Sequence, residues 1–477
     1  MKKKLLTLIL GCVMAFSVVA IGVYALTTVN LGVTGSISFI AYDKQVYIED
    51  ITLKNIVEET DTGYQTTSKS YEDYQGVYLK NSNSTVDLSG KVLQGETMEI
   101  DITLKNLKAN YLKTSLSHKA LPTGVLIRST GLYMPQNTGT SAATGESRTL
   151  KIYISNQGTS TYTLDLSTVD LSITFSEVES LIHTGTRTEG STTKTIYYVE
   201  MGTLPGTEAV DGVYTEQYLK WRYISADGET AYTANAAPTN VGGTYILETD
   251  VQILTKNNTL LRNDGVANNM LASVAFQNDF NFDRNNGSGN LKGELSNVYA
   301  NDYAYSNVRK YMNGQKGYKG TTQTYTDGDE KRVGYYTPST TSQYSDMLTD
   351  FCIDAEIDLI YNRIVARTLT DLYSDIGTAP YSNTTDFTHY APQNGMDMGE
   401  ADKFWAPSYT EALNLLCNGT WATNSADWNT ANSDAYYWLR SPYADYPYGA
   451  CFVSSGLCVD VYVSDDYYAA RACFKLA

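Results

Sequence analysis

The chain has 477 residues and a formal net charge of −17, from 52 acidic and 35 basic residues. An acidic chain without a basic patch repels the phosphate backbone, which excludes a nucleic-acid partner. The length predicts two or three domains, each able to bury a core. The 40 tyrosines, with abundant Asn, Thr, Ser and Gly, are typical of exposed extracellular proteins rich in β-structure.

The N-terminus has the pattern of a secretory signal. Three lysines follow Met1 and precede an apolar run from Leu5 to Leu26, the charged and hydrophobic arrangement of such signals. The small residues of Val23-Tyr24-Ala25 predict a signal peptide over residues 1–25 and a secreted or cell-surface protein. If uncleaved, the run is long enough to anchor the chain, since about 20 residues span a bilayer; no other membrane contact is expected. A lipobox ending at Cys12 fits less well, because the apolar run continues beyond it.

Cysteines and histidines are too few and scattered to organise a site. The odd number of cysteines beyond the signal cannot all pair, and their spacing matches no zinc pattern: they are Cys352, Cys417, Cys451, Cys458 and Cys473. A single bridge from Cys451 to either Cys473 or Cys458 is compatible with the sequence. The three histidines, His118, His183 and His389, offer little material for a metal centre or a catalytic triad. The sequence therefore predicts no catalytic residue, metal or cofactor, and no enzymatic activity.

Residues 26–182 are predicted to form a β-sandwich of the immunoglobulin-like or matrix type. Met98–Leu104, Leu150–Ile154 and Leu171–Phe175 each alternate apolar and polar residues, as half-buried strands do. Several such strands with hardly any helical pattern favour a sandwich. The region resembles secreted sandwich proteins of Gram-positive biofilm matrices, and a role as a spacer or assembly module is expected for it.

The segment 183–195 offers no hydrophobic side chain over most of its length and is predicted to be a linker. Beyond it, strand-like runs alternate with two predicted helices. The first has Ser306 as its N-cap and ends at Gly314, and the second opens with a capping box formed by Ser408 and Glu411. The polar stretch from Thr321 to Tyr344 is predicted to be a long loop.

Short matches to a known family occur in order along residues 196–477. They are Leu219-Lys220-Trp221-Arg222-Tyr223 with Asp227-Gly228, then Tyr245-Ile246-Leu247, Val308 to Gly314, Asp402 to Ser408, Tyr437-Trp438-Leu439-Arg440-Ser441-Pro442, and Arg471 to Leu476. Through them the region resembles a bacterial family of exported domains, domain of unknown function 6273. The match departs from the family at Ala472-Cys473, where a proline usually follows the arginine. The resemblance implies an α+β C-type-lectin-like fold, so we expect a multidomain protein in which an all-β sandwich precedes this domain.

The C-terminal residues predict two neighbouring strands with one exposed polar face. Val459, Val461 and Val463 alternate with Asp460, Tyr462 and Ser464, so one face of a strand is expected to be buried and the other exposed. Ser454-Ser455-Gly456 supplies the turn to the preceding strand. For Arg440, a buried structural ion pair is favoured over a ligand contact.

The residue types between Tyr443 and Cys473 are restricted. Six tyrosines, four aspartates, three serines and three cysteines occur, but no Lys, Glu, Gln, Met or Trp. Those five types cannot be reached from an Asn codon by changing only its adenines, so the segment resembles the variable region of diversity-generating retroelement target proteins. Tyrosine gives a large contact area for little lost entropy, and Asp and Ser add directional hydrogen bonds. We expect an extracellular protein or glycan ligand to contact Tyr443, Asp445, Tyr446, Tyr448, Phe452, Ser454, Ser455, Asp460, Tyr462, Ser464, Asp465, Asp466, Tyr467 and Tyr468.

The sequence allows three alternatives to binding by this surface. A cysteine-pair oxidase is disfavoured because Cys451 and Cys458 have no nearby histidine to tune a thiolate. Calcium binding by Asp460, Asp465 and Asp466 is disfavoured because the motifs of calcium-dependent lectins are absent. A structural surface or matrix component without a specific ligand is the remaining alternative.

Overall fold

The computed structural model describes residues 36–40, 45–61, 63–70, 77–78, 85–88, 90–139, 142–157, 164–189, 192–204, 212–226, 237–248, 260–261, 267–268, 301–303, 306–313, 323–327, 330–334, 347–348, 351–367, 369, 401–408, 411–412, 437–442, 449–454, 457–462 and 470–477. The predicted signal peptide lies outside these residues.

Two sheets share one hydrophobic core in the N-terminal part of the chain. The first contains β1 (Ser36–Ile40), β5 (Thr85–Asp87), β8 (Tyr111–Lys119), β10 (Tyr133–Met134), β13 (Asp170–Val178) and β16 (Val213–Thr215). Its order is β10-β8-β13-β1-β5, with β16 also beside β8. The second contains β2 (Val46–Thr60), β3 (Gly63–Ser70), β4 (Val77–Tyr78), β6 (Lys91–Val92), β7 (Thr97–Asn106), β9 (Val125–Ser129), β11 (Ser147–Asn156) and β12 (Leu164–Asp165). Its order is β12-β6-β2-β7-β11-β9, with β3 and β4 also on β2.

Alternating hydrophobic residues place this core, as the sequence predicted. In β7 every second residue from Met98 to Leu104 is fully buried, and β11 sets Ile152 opposite Ile100 and Leu150 opposite Ile102. Each fully buried side chain of this size contributes about 1.5–3 kcal/mol. The predicted strands are therefore confirmed, and two sheets around one core are consistent with a β-sandwich.

The C-terminal part contains a five-stranded sheet, a three-stranded sheet and a short helix. The first has the order β14 (His183–Glu189), β15 (Thr192–Leu204), β17 (Gln217–Ser225), β18 (Gly243–Leu247) and β26 (Cys473–Leu476), and the second β23 (Tyr437–Pro442), β24 (Gly449–Ser454) and β25 (Leu457–Tyr462). Two hairpins pair β19 (Leu260–Leu261) with β20 (Ala267–Asn268) and β21 (Gln323–Asp327) with β22 (Glu330–Gly334). The α-helix is α1 (Asn307–Asn313), and short 3₁₀ helices span Ala142–Thr144, Leu166–Thr168 and Tyr361–Arg363.

Aromatic rings fill the core of this part. The ring of Trp221 on β17 lies 4.9 Å from that of Phe474 on β26 and 6.0 Å from that of Phe404. The Trp221 indole N–H donates to the carbonyl of Met201 on β15 at 2.8 Å, which leaves no buried donor unsatisfied on this ring. The strand β26 is thereby packed against β17, which lies more than 200 positions earlier in the chain.

Both predicted helix starts are confirmed. Ser306 Oγ accepts the N–H of Arg309 at 3.1 Å, and α1 follows directly. Ser408 Oγ accepts the N–H of Glu411 at 3.0 Å, while the Glu411 carboxylate accepts the N–H of Ser408 at 3.1 Å. This reciprocal pair is the predicted capping box.

Two sequence predictions were wrong. The predicted linker 183–195 contains β14 and the start of β15, which pair without a register shift from His183 opposite Tyr198 to Glu189 opposite Thr192. Exposed β-branched threonines favour a strand without adding a buried face, so hydrophobic periodicity misses it. The predicted loop 321–344 likewise contains β21 and β22, separated by Gly328-Asp329, the length of the commonest hairpin connection.

One strand from beyond the predicted domain boundary pairs with the sandwich. β16, which follows residues of the C-terminal sheet in sequence, pairs antiparallel with β8 of the sandwich. Gly131 lies at this boundary with a φ of +64°, and a Cβ there would sit 2.5 Å from Thr203 Cγ2. The close approach of Thr203 therefore requires glycine at position 131.

Candidate recognition surface

The candidate surface lies at one end of the sheet formed by β23, β24 and β25. Pro442, which ends β23, is the register partner of Ala450, and Gly449, which begins β24, is the partner of Tyr462, which ends β25. Neighbouring strands lie about 4.8 Å apart. Pro442, Gly449 and Tyr462, which border the segments 443–448 and 463–469, therefore lie at the same end of this sheet.

Most residues of the predicted site lie outside the described residues. Ser454, Asp460 and Tyr462 are placed by their backbones within β24 and β25. The others that were predicted to contact a ligand and lie outside the described residues are Tyr443, Asp445, Tyr446, Tyr448, Ser455, Ser464, Asp465, Asp466, Tyr467 and Tyr468.

Phe452 does not belong to the predicted surface. It is 6% exposed, and its ring lies 6.3 Å from that of Trp438 in an edge arrangement. Alternation along β24 puts Phe452 on the same face as Ala450, and their register partners are Val459 and Val461. This face is the apolar one, so Phe452 is a core residue.

The opposite face of β24 is covered at Cys451. Asp460 is the register partner of Cys451, whose side chain is fully buried and lies 3.6 Å from the carbonyl oxygen of Pro442. β24 is therefore covered on both faces, at Cys451 and at Phe452. Any recognition surface has to come from β25 and the two adjoining segments.

Buried ion pairs fix the strand that leads into the surface. Arg440 on β23 is 2% exposed, and its guanidinium pairs with Glu411 and donates to the carbonyl of Ala406 at 2.9 Å. Arg367 reaches the same carboxylate at 2.9 Å. Burial alone would raise the pKa of Glu411. The two guanidiniums and the Ser408 N–H outweigh burial, so the pKa of Glu411 lies below its usual value. The structural ion pair predicted for Arg440 is confirmed.

A second buried pair ties α1 to the strand-like segment 401–405. Arg309 Nε and Nη2 donate to the two carboxylate oxygens of Asp402 at 2.8 and 3.0 Å, and both side chains are at most 2% exposed. Asn313, at the end of α1, donates to the carbonyl of Phe404 at 2.7 Å. Trp405 in turn bridges to Cys473 through two backbone hydrogen bonds, which joins this segment to the C-terminal strand.

Cys451 and Cys473 are both buried. Cys451 and Cys473 are not bridged to each other, so that pairing is excluded. Burial, followed by the charge of Glu411, raises the pKa of Cys473 far above its usual value, which keeps the thiol protonated. The departure from the family pattern at Ala472-Cys473 thus places a small inert side chain in the core.

Among the described residues, no group of three or more histidine, cysteine or acidic side chains is arranged to hold a metal ion. In the same residues no helix has the length and apolar character needed to cross a membrane.

No protein-family model, no curated protein and no solved structure matches the chain. The family resemblance and its lectin-like fold therefore stay predictions.

Proposed function

We propose that this chain is an exported surface protein that binds an extracellular protein or glycan through the segments 443–448 and 463–468. The observation that carries the proposal is topological: Gly449 and Tyr462, which border these two segments, are register partners at one end of the sheet. The two segments contain five tyrosines and three aspartates. A C-type-lectin-like domain is the fold that we propose for the region.

The framework around the segments supports this role. Ser441 and Ala450 flank the first segment, and Ala470 and Arg471 follow the second; all four are at most 1% exposed. Binding segments are most precise when rigid elements hold their ends, because less conformational entropy is lost on binding. Sequence change between these anchors leaves the core intact.

Population sequencing is the first test of the proposal. Across sibling genomes, substitutions are expected to cluster at codons Tyr443 to Tyr468 and to fall on former adenine positions, while the framework codons for Trp438 and Arg440 stay constant. The sandwich codons provide the background rate within the same gene. An even spread of substitutions along the gene would remove the diversified-binder form of the proposal.

Gene context separates this proposal from the structural alternative. A reverse transcriptase gene and a near-repeat of the 3′ end beside this gene favour a diversified binder. An operon with a sortase or a dedicated signal peptidase favours a matrix or fibre component.

A further inference from the structure

The strand β16 joins the two parts of the chain, because it pairs with β8 of the sandwich. β16 pairs with β8 so that Tyr214 faces His118 and Thr215 faces Ser117, and the Tyr214 and His118 rings stack at 5.3 Å. The next residue continues this contact, because Glu216 N–H donates to the carbonyl of Leu116 at 2.8 Å. Glu216 therefore lies within the contact between the two parts.

Glu216 is half-buried, with one carboxylate oxygen sealed from solvent, and it has no ion pair among the described residues. Its Oε2 accepts the Leu116 N–H at 3.3 Å, whereas Oε1 is inaccessible to solvent and accepts no hydrogen bond of normal geometry, although the Ser129 and Thr203 hydroxyls lie close to the carboxylate. None of the ion pairs found among the described residues includes Glu216. A buried, unpaired carboxylate is costly when ionised and much less so when neutral.

The nearest ammonium group is already engaged by another carboxylate. Lys113 Nζ pairs with Glu200 and lies 4.2 Å from the centre of the Tyr218 ring. Glu200 also accepts from the Tyr133 hydroxyl, and His183 Nε2 lies 3.8 Å away. Glu200 is consequently well compensated, and Glu216 is not.

The pKa values of Glu216 and Glu200 are shifted in opposite directions. Burial raises the pKa of Glu216 to about 7, and the Ser129 and Thr203 hydroxyls, the Leu116 N–H and Lys113 offset this only in part. Burial also raises the pKa of Glu200, but Lys113, Tyr133 and His183 bring it below its usual value. Burial holds the pKa of the Tyr218 hydroxyl, which hydrogen-bonds to Thr114 and Leu132, well above its usual value, so it stays neutral.

We propose that Glu216 makes the joint between the sandwich and the C-terminal part proton-dependent. With a neutral Glu216 the β16–β8 pairing holds, and ionisation of this side chain weakens it. An acid whose folded pKa is raised binds a proton that the unfolded chain has released, so stability falls as pH rises from about 4.5 to about 7 and then levels off. The joint is therefore tightest in mild acid.

Two buried histidines oppose this dependence. Burial lowers the pKa of His118 on β8 and of His183 on β14. Their contribution to stability is lost as pH falls below about 6.5. The pH profile of the wild-type chain is thus a sum, and the Glu216 contribution has to be isolated by substitution.

The test compares the wild-type chain with Glu216→Gln at pH 5 and pH 8 by urea-induced unfolding and by amide exchange of residues 116–119. The histidine contributions cancel in this comparison. At pH 8 the ratio of folded to unfolded chain is expected to be up to about two orders of magnitude higher for Glu216→Gln than for the wild-type chain. At pH 5 the two chains are expected to differ little. An equal effect at both pH values, or a loss at pH 8 only, would overturn the proposal.

Two further variants serve as controls. Glu216→Met removes the charge without adding an amide that needs hydrogen bonds, and it is expected to show the same gain from pH 5 to pH 8. Glu200→Gln removes the compensated carboxylate and is expected to destabilise the chain at pH 8. If both glutamate positions respond alike, Glu216 has no special role and the proposal fails.

Discussion

Replacing Asp402 by asparagine is expected to lower the free energy of unfolding by about 3–5 kcal/mol, because it removes the negative charge that accepts two hydrogen bonds from the buried guanidinium of Arg309. Both side chains are at most 2% exposed and share two hydrogen bonds. Asparagine matches the size of aspartate, so the loss reports charge rather than packing. The urea midpoint of the C-terminal transition, followed by tryptophan fluorescence, measures it.

An exposed ion pair in the same chain provides the control. Lys119 pairs with Asp170 on the sandwich, and the Lys119 side chain is 66% exposed. Lys119→Gln is expected to change stability by about 1 kcal/mol or less, since solvent screens such pairs. Equal effects of the two substitutions would show that the pair between Arg309 and Asp402 does not hold α1 in place.

Replacing Tyr443, Tyr446, Tyr467 and Tyr468 together by serine is expected to weaken ligand binding at least about 100-fold, because interface tyrosines carry much of the binding energy at recognition surfaces. The wild-type chain is first screened on arrays of immobilised glycans and extracellular proteins. Binding of each captured ligand to the wild-type chain and the variant is then compared by surface plasmon resonance. The melting temperature of the variant is expected to stay close to the wild-type value.

Two tyrosines outside the proposed surface serve as the matched control. Tyr47 lies on β2 of the sandwich and Tyr197 on β15, and both are half-buried. The double change Tyr47→Ser and Tyr197→Ser is expected to leave binding within about threefold of wild type, less than 1.4 kcal/mol. If the variant with four tyrosine substitutions binds with wild-type affinity, the ligand binds elsewhere on the chain.

Local patterns account for what the sequence predicted correctly. Alternation located Met98, Ile100 and Ile102 in the core because a half-buried strand has a period of two. The capping box at Ser408 and Glu411 was readable because its two partners are three residues apart. A buried ion pair was expected for Arg440, but the sequence did not identify its partner, Glu411.

Long-range contacts account for what the sequence did not reveal. The partners Arg309 and Asp402 are 93 positions apart, and no local pattern connects them. The pairing of β16 with β8 joins residues about 100 positions apart, so Glu216 gave no signal of its buried place in the joint. A valine-rich strand was predicted around Val459, but the burial of Phe452 depends on Trp438 in the neighbouring strand.

The measurement that tests the recognition surface most directly is hydroxyl-radical footprinting of the intact chain, read out by mass spectrometry at single tyrosines. Tyr437 and Tyr303, both fully buried, give the rate for protected rings within the same molecule. We predict that Tyr443, Tyr446, Tyr448, Tyr467 and Tyr468 are oxidised many times faster than these two. Protection of the five at the rate of Tyr437 would mean that their rings are packed inside the domain and cannot contact a ligand.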